Sequence, residues 1–255
     1  MNQEQLIKEL KIISFNAGKA IMEIYNDADL SKVVDHKADD SPLTLADKAA
    51  DKVIMKGLQS LPVQYPILSE EGKHLDYVER RKWDTFWLVD PLDGTKEFIK
   101  RNGQFTVNIA LIKDGFPLLG IIYVPATGVY YYGSENGAFK EEGALTTRLK
   151  VNNISTNRVA VRSASHASPE EDALLSKYDV KDSISKGSSL KFCMVAEGKA
   201  DIYYRHGPTM EWDTGAGQAI LEAAGGKVFK GDTTKERFNY NKENLLNGSF
   251  LCLGF

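Results

Sequence analysis

The stretch at residues 86–99, FWLVDPLDGTKEFI, constrains the fold more than any other part of the sequence. Its apolar, aromatic-rich beginning predicts a buried strand that ends at an acid; Pro-Leu-Asp-Gly is typical of a turn, and a helix can begin at Thr95. The turn brings Asp90 and Asp93 together, and two carboxylates repel each other unless a cation lies between them. The free amides of Gly94 and Thr95 would attract an anion such as phosphate. A metal and a phosphate at one point indicate phosphoryl chemistry.

A plainer interpretation of the same stretch is a tight turn in which one aspartate caps a helix and nothing binds. The full string Asp-Pro-Leu-Asp-Gly-Thr-Lys-Glu-Phe, however, resembles the signature of the inositol monophosphatase superfamily of metal-dependent phosphatases. Thr-Lys-Glu-Phe after the glycine is similar to its CysQ-type 3'(2'),5'-bisphosphate nucleotidase branch. The resemblance implies an α+β layered fold, a two-lobed αβαβα sandwich of the inositol monophosphatase and fructose-1,6-bisphosphatase type.

Composition limits the alternatives. With 255 residues, the chain can form one large domain or two lobes around a substantial core. A net charge of -3 argues against a surface that coats a nucleic-acid polymer. Cys193 and Cys252 form no Cys-x-x-Cys motif, so we expect two buried, reduced thiols rather than a disulfide framework or a zinc site.

The expected location is cytoplasmic. The first residues lack the basic and apolar regions of a signal peptide, and the longest apolar run, residues 116–126, is interrupted by prolines and too short to span a bilayer. We therefore expect no transmembrane segment. Peripheral attachment to the inner face of the plasma membrane stays open, as does the choice between a monomer and a homodimer.

A stretch of mixed polar residues at 146–155 contains the predicted boundary between two lobes, 1–152 and 153–255. In the first lobe we predict helices at 2–25 and 44–61, an edge strand at 31–37, and an antiparallel sheet that includes strands at 106–113, 118–124, 129–132 and 137–140. The second lobe alternates strands and helices, which indicates an α/β arrangement: strands at 158–164 and 200–205, helices at 188–197 and 212–224.

Three further acids have both a neutral and a functional interpretation. Asp47 falls in the first turn of the helix at 44–61, where the helix dipole alone would favour an acid. Glu70, in Ser-Glu-Glu-Gly, follows a short apolar strand and would by itself be a residue of a solvated turn. Asp213, in Glu-Trp-Asp-Thr, would by itself be a helix N-cap. The order of Thr-Leu-Ala-Asp, Ser-Glu-Glu-Gly, the central motif and Glu-Trp-Asp-Thr is similar to that of the superfamily.

The resemblance implies a role for each acid. It assigns a first Mg²⁺ to Glu70, Asp90 and the Leu92 carbonyl, and a second to Asp90, Asp93 and Asp213, with two or three ions in all. Such ions keep water ligands and are completed by the substrate phosphate. Thr95, polarised by Asp47, would position the attacking water, so the implied catalytic residues are Asp47, Glu70 and Thr95. Gly215 stands where the superfamily pattern has alanine, which weakens the helix by about 1 kcal/mol but removes no ligand.

The substrate is implied by two further strings, Gly-Ser-Ser-Leu-Lys-Phe-Cys and Arg-His-Gly-Pro-Thr-Met-Glu, which are similar to the CysQ-type pattern. The first string is also a candidate anion site at a helix start, or merely a good cap. In the nucleotidase interpretation Gly187 and Lys191 approach the nucleotide, and Ser163 and His166 line the pocket, although Ala164 replaces an expected arginine. The remaining implied substrate contacts lie in the metal site: Glu70, Leu92, Asp93, Gly94, Thr95 and Asp213.

We therefore predict a Mg²⁺-dependent phosphatase that converts adenosine 3',5'-bisphosphate to AMP and phosphate, with 3'-phosphoadenosine 5'-phosphosulfate as a second substrate. The resemblance also implies inhibition by Li⁺. The alternatives are an inositol monophosphatase and a non-catalytic nucleotide- or metal-binding protein.

Overall fold

A computed structural model describes residues 1–27, 42–73, 75–163 and 168–255. The strand predicted at 31–37 and the predicted pocket residue His166 lie outside these ranges. The helices are α1 (Gln3–Tyr25), α2 (Pro42–Gln59), α3 (Tyr77–Arg80), α4 (Thr95–Ile99), α5 (Pro169–Leu175), α6 (Leu190–Ala196) and α7 (Gly215–Ala223). The strands are β1 (Ile67–Ser69), β2 (Thr85–Asp93), β3 (Thr106–Lys113), β4 (Phe116–Val124), β5 (Val129–Ser134), β6 (Gly137–Glu142), β7 (Leu145–Leu149), β8 (Arg158–Arg162), β9 (Val180–Ser185), β10 (Ile202–Arg205), β11 (Thr209–Met210), β12 (Lys227–Lys230), β13 (Leu246–Asn247) and β14 (Phe250–Leu253).

The first sheet contains β1 to β7 in sequence order, with β1 parallel to β2 and every later pair antiparallel. The turn between β3 and β4 is built by Asp114 and Gly115, both at positive φ. The predicted antiparallel sheet is therefore present. It also includes β7, where we predicted no strand. Four of its five residues are exposed, so this edge strand carries no apolar alternation from which it could be recognised.

Helices cover both faces of this sheet, which explains why β2 is apolar at consecutive positions. Trp87 and Val89 pack in one cluster with α1 and α2. Phe86 and Leu88 point to the opposite face and pack with α6 and α7. A strand buried on both faces has no polar side to alternate with its apolar one.

The second sheet has the order β12-β14-β10-β8-β9 and mixes parallel and antiparallel pairs. One of its faces packs against α6 and α7 through residues such as Tyr203 and Phe250. Its other face packs against α5 through Ile202, Leu174 and neighbouring residues. The layers thus follow one another as helices, sheet, helices, sheet and helix, which confirms the αβαβα architecture.

Helix α7 lies in the middle layer and approaches the first sheet very closely. A Cβ atom on Gly120 would lie 2.8 Å from the Cα of Ala216, and one on Gly133 would lie 2.7 Å from the Cα of Ile220. Gly215, at the start of the helix, also permits this close approach, since a Cβ atom on it would lie 2.8 Å from the Leu88 side chain. Packing against the sheet therefore gives a reason for the glycine that helix propensity alone disfavours.

The boundary predicted at residues 152/153 stays a prediction. The first sheet ends at Leu149 and the second begins at Arg158, but the middle helices form one apolar cluster with both sheets. Cys193 and Cys252 are free and buried in that cluster, as predicted. Within the described ranges, no helix combines the length and the apolar character needed to cross a membrane.

Candidate active site

The central motif lies at the end of β2. We predicted that the strand would stop at Asp90, but it continues to Asp93 through a shift in its pairing with β3 between these two residues. The Leu92 amide donates to Oδ1 of Asp90 at 3.0 Å inside this irregular segment. Gly94 follows at a φ of 97°, a conformation that glycine adopts readily, and α4 begins at Thr95. The irregularity places both carboxylates beside the start of a helix.

The carboxylate of Asp93 is held by the segment that precedes α6. Its Oδ2 accepts a hydrogen bond from the Ser189 amide at 2.5 Å and one from Asn108 Nδ2 at 3.4 Å. The Gly187 amide donates to Oε1 of Gln104 at 2.8 Å. Two of the three amides that we considered as an anion site are therefore engaged by side chains of the first lobe, and α6 begins at Leu190 rather than at residue 188.

Asp213 is placed by a short helical turn at residues 211–213. Its Oδ2 accepts the Met210 amide at 2.9 Å, and residue 214 is the N-cap of α7. The N-cap explanation of Asp213 is therefore wrong. Beside it lies the fully buried Glu211, whose carboxylate accepts hydrogen bonds from Lys242 Nζ at 2.6 Å and from the Asn241 amide at 2.7 Å. This carboxylate therefore anchors the turn to the segment before β13. The sequence indicated no such structural role for Glu211.

Carboxylates from four separate segments meet beside this turn. Burial, followed by repulsion from Glu70, Asp93, Asp213 and Asp47, raises the pKa of Asp90 well above its ordinary range. Burial and repulsion from Asp93 and Glu70 raise the pKa of Asp213 to about 8. Burial is also the main reason why the pKa of Glu70 rises to about 6, with an opposing contribution from its hydrogen bond to Asp90. The structure thus brings Glu70, Asp90, Asp93 and Asp213 together, as their predicted roles require.

This group has the donor chemistry of a site for a hard divalent cation, since all its side-chain donors are carboxylate oxygens. Within the described ranges, no group of three or more acidic, histidine or cysteine side chains is arranged so that it could hold a metal ion. Mg²⁺ keeps several waters and binds through few carboxylates plus substrate phosphate. One buried oxygen, Oδ1 of Asp47, has no hydrogen-bond partner among the described residues. The residues present therefore fit the predicted ion.

Asp47 lies deeper in its helix than predicted. Because α2 begins at Pro42, Asp47 is its sixth residue and lies beyond the first turn. The helix dipole favours an acid only within the first turn, so it does not explain Asp47. Burial, then repulsion from Glu70, raises its pKa to about 8. Thr95 is exposed at the start of α4, and α2 packs against α4. In the described part of the chain no hydrogen bond joins the two side chains, so their pairing stays a prediction.

A cleft of about 670 Å³ opens beside the carboxylates. Six of the predicted substrate-binding residues line it: Asp93, Gly94, Ser163, Gly187, Lys191 and Asp213. The Lys191 ammonium is buried and donates to the Ser188 carbonyl at 2.6 Å. Burial lowers the pKa of Lys191 to about 8, although Asp93 favours its charged form. The cleft therefore contains a basic side chain, Lys191, next to Asp93, a proposed metal ligand.

Two residues of this cleft were not singled out from the sequence. Arg205 lines it from the end of β10, and its buried Nε has no hydrogen-bond partner among the described residues. Ser188 has a φ of 48°, which is uncommon for a residue other than glycine, and its buried Oγ is likewise without a partner in the described ranges. The string Arg-His-Gly-Pro-Thr-Met-Glu was a signal for Arg205; none in the sequence indicated the backbone of Ser188.

Comparisons with known proteins agree with the geometry. A sequence model described as the inositol monophosphatase family matches residues 2–251. The chain is 46% identical over 246 residues to the 3'(2'),5'-bisphosphate nucleotidase CysQ of Salmonella typhimurium, which covers 96% of this chain and 98% of the relative. It is 48% identical over 236 residues to the protein of the same name from Escherichia coli K12, covering 92% and 94% of the two chains.

Solved structures are similar over the same length. CysQ from Bacteroides thetaiotaomicron superposes with a TM-score of 0.88 at 43% identity, covering 99% of this chain and 97% of that one. An inositol monophosphatase from Anabaena superposes with a TM-score of 0.72 at 24% identity, covering 98% of this chain and 90% of that one, and supports the fold alone.

Proposed function

The chain belongs to the inositol monophosphatase family, and we propose that within this family it is a 3'(2'),5'-bisphosphate nucleotidase. The proposed reaction is the Mg²⁺-dependent hydrolysis of the 3'-phosphate of adenosine 3',5'-bisphosphate to AMP and phosphate. The corresponding phosphosulfate is the second substrate. The two CysQ relatives carry the name of this activity over nearly the whole chain. A cytoplasmic location fits the two free, buried cysteines.

One observation carries the proposal: a group of four carboxylates, of which Asp90 is fully buried, adjoins a cleft lined by basic side chains. Lys96, Lys191 and Arg205 line the cleft beside Asp93 and Asp213. A substrate with two anionic groups matches both parts, because the reacting phosphate would lie at the carboxylate group with its cations and the other phosphate would lie against the basic side chains.

The ligands that would hold two or three Mg²⁺ ions are Glu70, Asp90, Asp93, Asp213 and the Leu92 carbonyl. Bound Mg²⁺ supplies Lewis-acid chemistry, which makes a water more nucleophilic and stabilises charge on the departing oxygen. The chain's own residues would orient the reactants. Thr95 would accept a hydrogen bond from the attacking water and donate its own hydroxyl proton to the Asp47 carboxylate.

The second phosphate would be held by the basic side of the cleft. Lys191 is fixed by its hydrogen bond to the Ser188 carbonyl and has further ammonium protons to donate. Arg205 has a buried Nε that lacks a partner among the described residues and a terminal nitrogen 3.4 Å from the Pro208 carbonyl. An anion would satisfy these donors, which supports a bisphosphate over a monophosphate.

The test is phosphate release from adenosine 3',5'-bisphosphate, its 5'-phosphosulfate analogue and inositol 1-phosphate, measured side by side with Mg²⁺ and with EDTA. We expect the bisphosphate to have the highest kcat/KM, no turnover in EDTA, and inhibition by Li⁺. A higher kcat/KM for inositol 1-phosphate would make the chain an inositol monophosphatase. Nucleotide binding without phosphate release under any divalent cation would make it a binding protein.

A further inference from the structure

One carboxylate of the cleft has no part in the proposed metal site. Glu97 is the third residue of α4 and lines the cleft with Lys191 and Arg205. Its side chain is half-buried. Within the described parts of the chain, no hydrogen bond or ion pair engages its carboxylate. A cleft that attracts anions through basic side chains therefore also contains an acid whose acceptor oxygens are available.

The position of Glu97 is set by the glycine that faces it. A Cβ on Gly187 would lie 2.5 Å from Cγ of Glu97 and 2.9 Å from its Oε1. The Gly187 backbone is itself held by the 2.8 Å hydrogen bond from its amide to Gln104. The absence of a side chain at residue 187 therefore makes room for Glu97, and the anchored backbone limits where its carboxylate can lie.

Glu97 is also close to the proposed reaction centre. It follows Gly94 by three residues, which corresponds to about 5 Å along a helix. Its charge acts on both Asp93 and Lys191. The carboxylate thus lines the same cleft as Asp93, a proposed metal ligand, and Lys191, the side chain proposed to bind the second phosphate.

The chemistry of a carboxylate limits what Glu97 can recognise. An ionised carboxylate only accepts hydrogen bonds, and it repels phosphate. In a nucleoside bisphosphate, the donor nearest to the reacting phosphate is the free hydroxyl on the adjacent ribose carbon, whereas the amine of the base lies beyond the sugar. We infer that Glu97 is a specificity-determining residue that accepts a hydrogen bond from this ribose hydroxyl, and so selects ribonucleotides over deoxyribonucleotides. The inference rests on the proposed function of the same cleft.

The experiment compares adenosine 3',5'-bisphosphate with 2'-deoxyadenosine 3',5'-bisphosphate in the full-length protein with Mg²⁺. The variants are Glu97→Ala, the isosteric Glu97→Gln, and the exposed control Glu23→Gln. A hydrogen bond to a charged group corresponds to a change in kcat/KM of about tenfold to a hundredfold. We expect wild type and Glu23→Gln to prefer the ribonucleotide by such a factor, mainly through KM.

In Glu97→Ala the preference should disappear because kcat/KM for the ribonucleotide falls through a higher KM, while kcat/KM for the deoxyribonucleotide is unchanged. Glu97→Gln, which keeps an acceptor but loses the charge, should retain part of the preference and serves as the test if the alanine variant does not fold. A second measurement, the shift in melting temperature caused by AMP and by 2'-deoxyAMP with Mg²⁺, should show the same loss of discrimination.

Equal losses for both substrates in Glu97→Ala, or an unchanged preference in both Glu97 variants, would overturn the role of Glu97 while leaving the nucleotidase proposal in place. If wild type hydrolyses neither nucleotide, the proposed function fails and this inference fails with it.

Discussion

Replacing Asp213 with asparagine should stabilise the metal-free protein. The Asp213 side chain is half-buried, and its desolvation together with repulsion from Asp93 and Glu70 raises its pKa from 3.8 to about 8. Asparagine has nearly the same shape, is neutral at every pH, and can still accept the 2.9 Å hydrogen bond from the Met210 amide. The substitution therefore removes the ionisable group without removing the contact that fixes the turn.

The magnitude follows from proton linkage. As the pH rises from 3.8, the unfolded state loses its proton at Asp213 while the folded state keeps it, so each pH unit removes about 1.4 kcal/mol of the free energy of unfolding. The loss reaches about 4 kcal/mol at neutral pH and stops growing above a pH of about 8, where the folded state also ionises. The contribution is thus present in acid and lost as the pH increases.

The assay is urea unfolding of wild type and Asp213→Asn in EDTA across this pH range. We expect the variant to be more stable at neutral pH by up to about 4 kcal/mol, and the difference to vanish near pH 4. Added Mg²⁺ should stabilise wild type much more than the variant, since cation binding offsets the carboxylate repulsion. The exposed control Asp232→Asn should change neither quantity. A variant that is no more stable than wild type in EDTA at neutral pH, or a difference independent of pH, would refute the reasoning.

Three further substitutions test the site and its support. Asp93→Asn should lower the rate of phosphate release by at least a factor of about 100, because the charge of a proposed metal ligand is lost. The far-ultraviolet circular dichroism spectrum should be unchanged. A turnover equal to that of wild type would exclude Asp93 from the site. Gly133→Ala should lower the free energy of unfolding in denaturant by about 1–3 kcal/mol, since its Cβ would meet the backbone of α7 at 2.7 Å, whereas Gly248→Ala, which meets nothing within 4 Å, should be nearly neutral. Glu211→Gln should cost about 3 kcal/mol in the same assay, because it leaves Lys242 without its charged partner; no loss would show that the ion pair is not stabilising.

Much of the proposed metal site could be predicted because its candidate ligands belong to short sequence motifs. The pair Asp90 and Asp93 and the distant Asp213 each belong to a motif of a few residues, and the structure brings them together with Glu70. The strand-to-helix character of the central motif was also predictable, although β2 continues to Asp93 because the pairing with β3 slips. Such register shifts depend on the partner strand, so they cannot be predicted from the sequence of one strand alone.

The layered architecture came from the family resemblance rather than from periodicity. Apolar repeats identified α1 and most strands of the first sheet, but β7 was missed because an exposed edge strand has no buried side to mark it. The helix α2 begins earlier than predicted, at Pro42, which changes the explanation of Asp47. Its burial near Glu70, and not the helix dipole, dominates its electrostatics.

The sequence by itself determined which acids are available, which glycines permit the turn after β2, and which family the chain resembles, because these depend on residue type and short spacing. Only the tertiary structure decided that the Ser189 amide would hold Asp93, that Glu97 would lie over Gly187, and that Arg205 would line the cleft. These contacts join residues about ninety or more positions apart in the first two cases, and they depend on how both sheets pack against the helices between them. No local pattern carries that information, since the packing of the whole chain sets the distances.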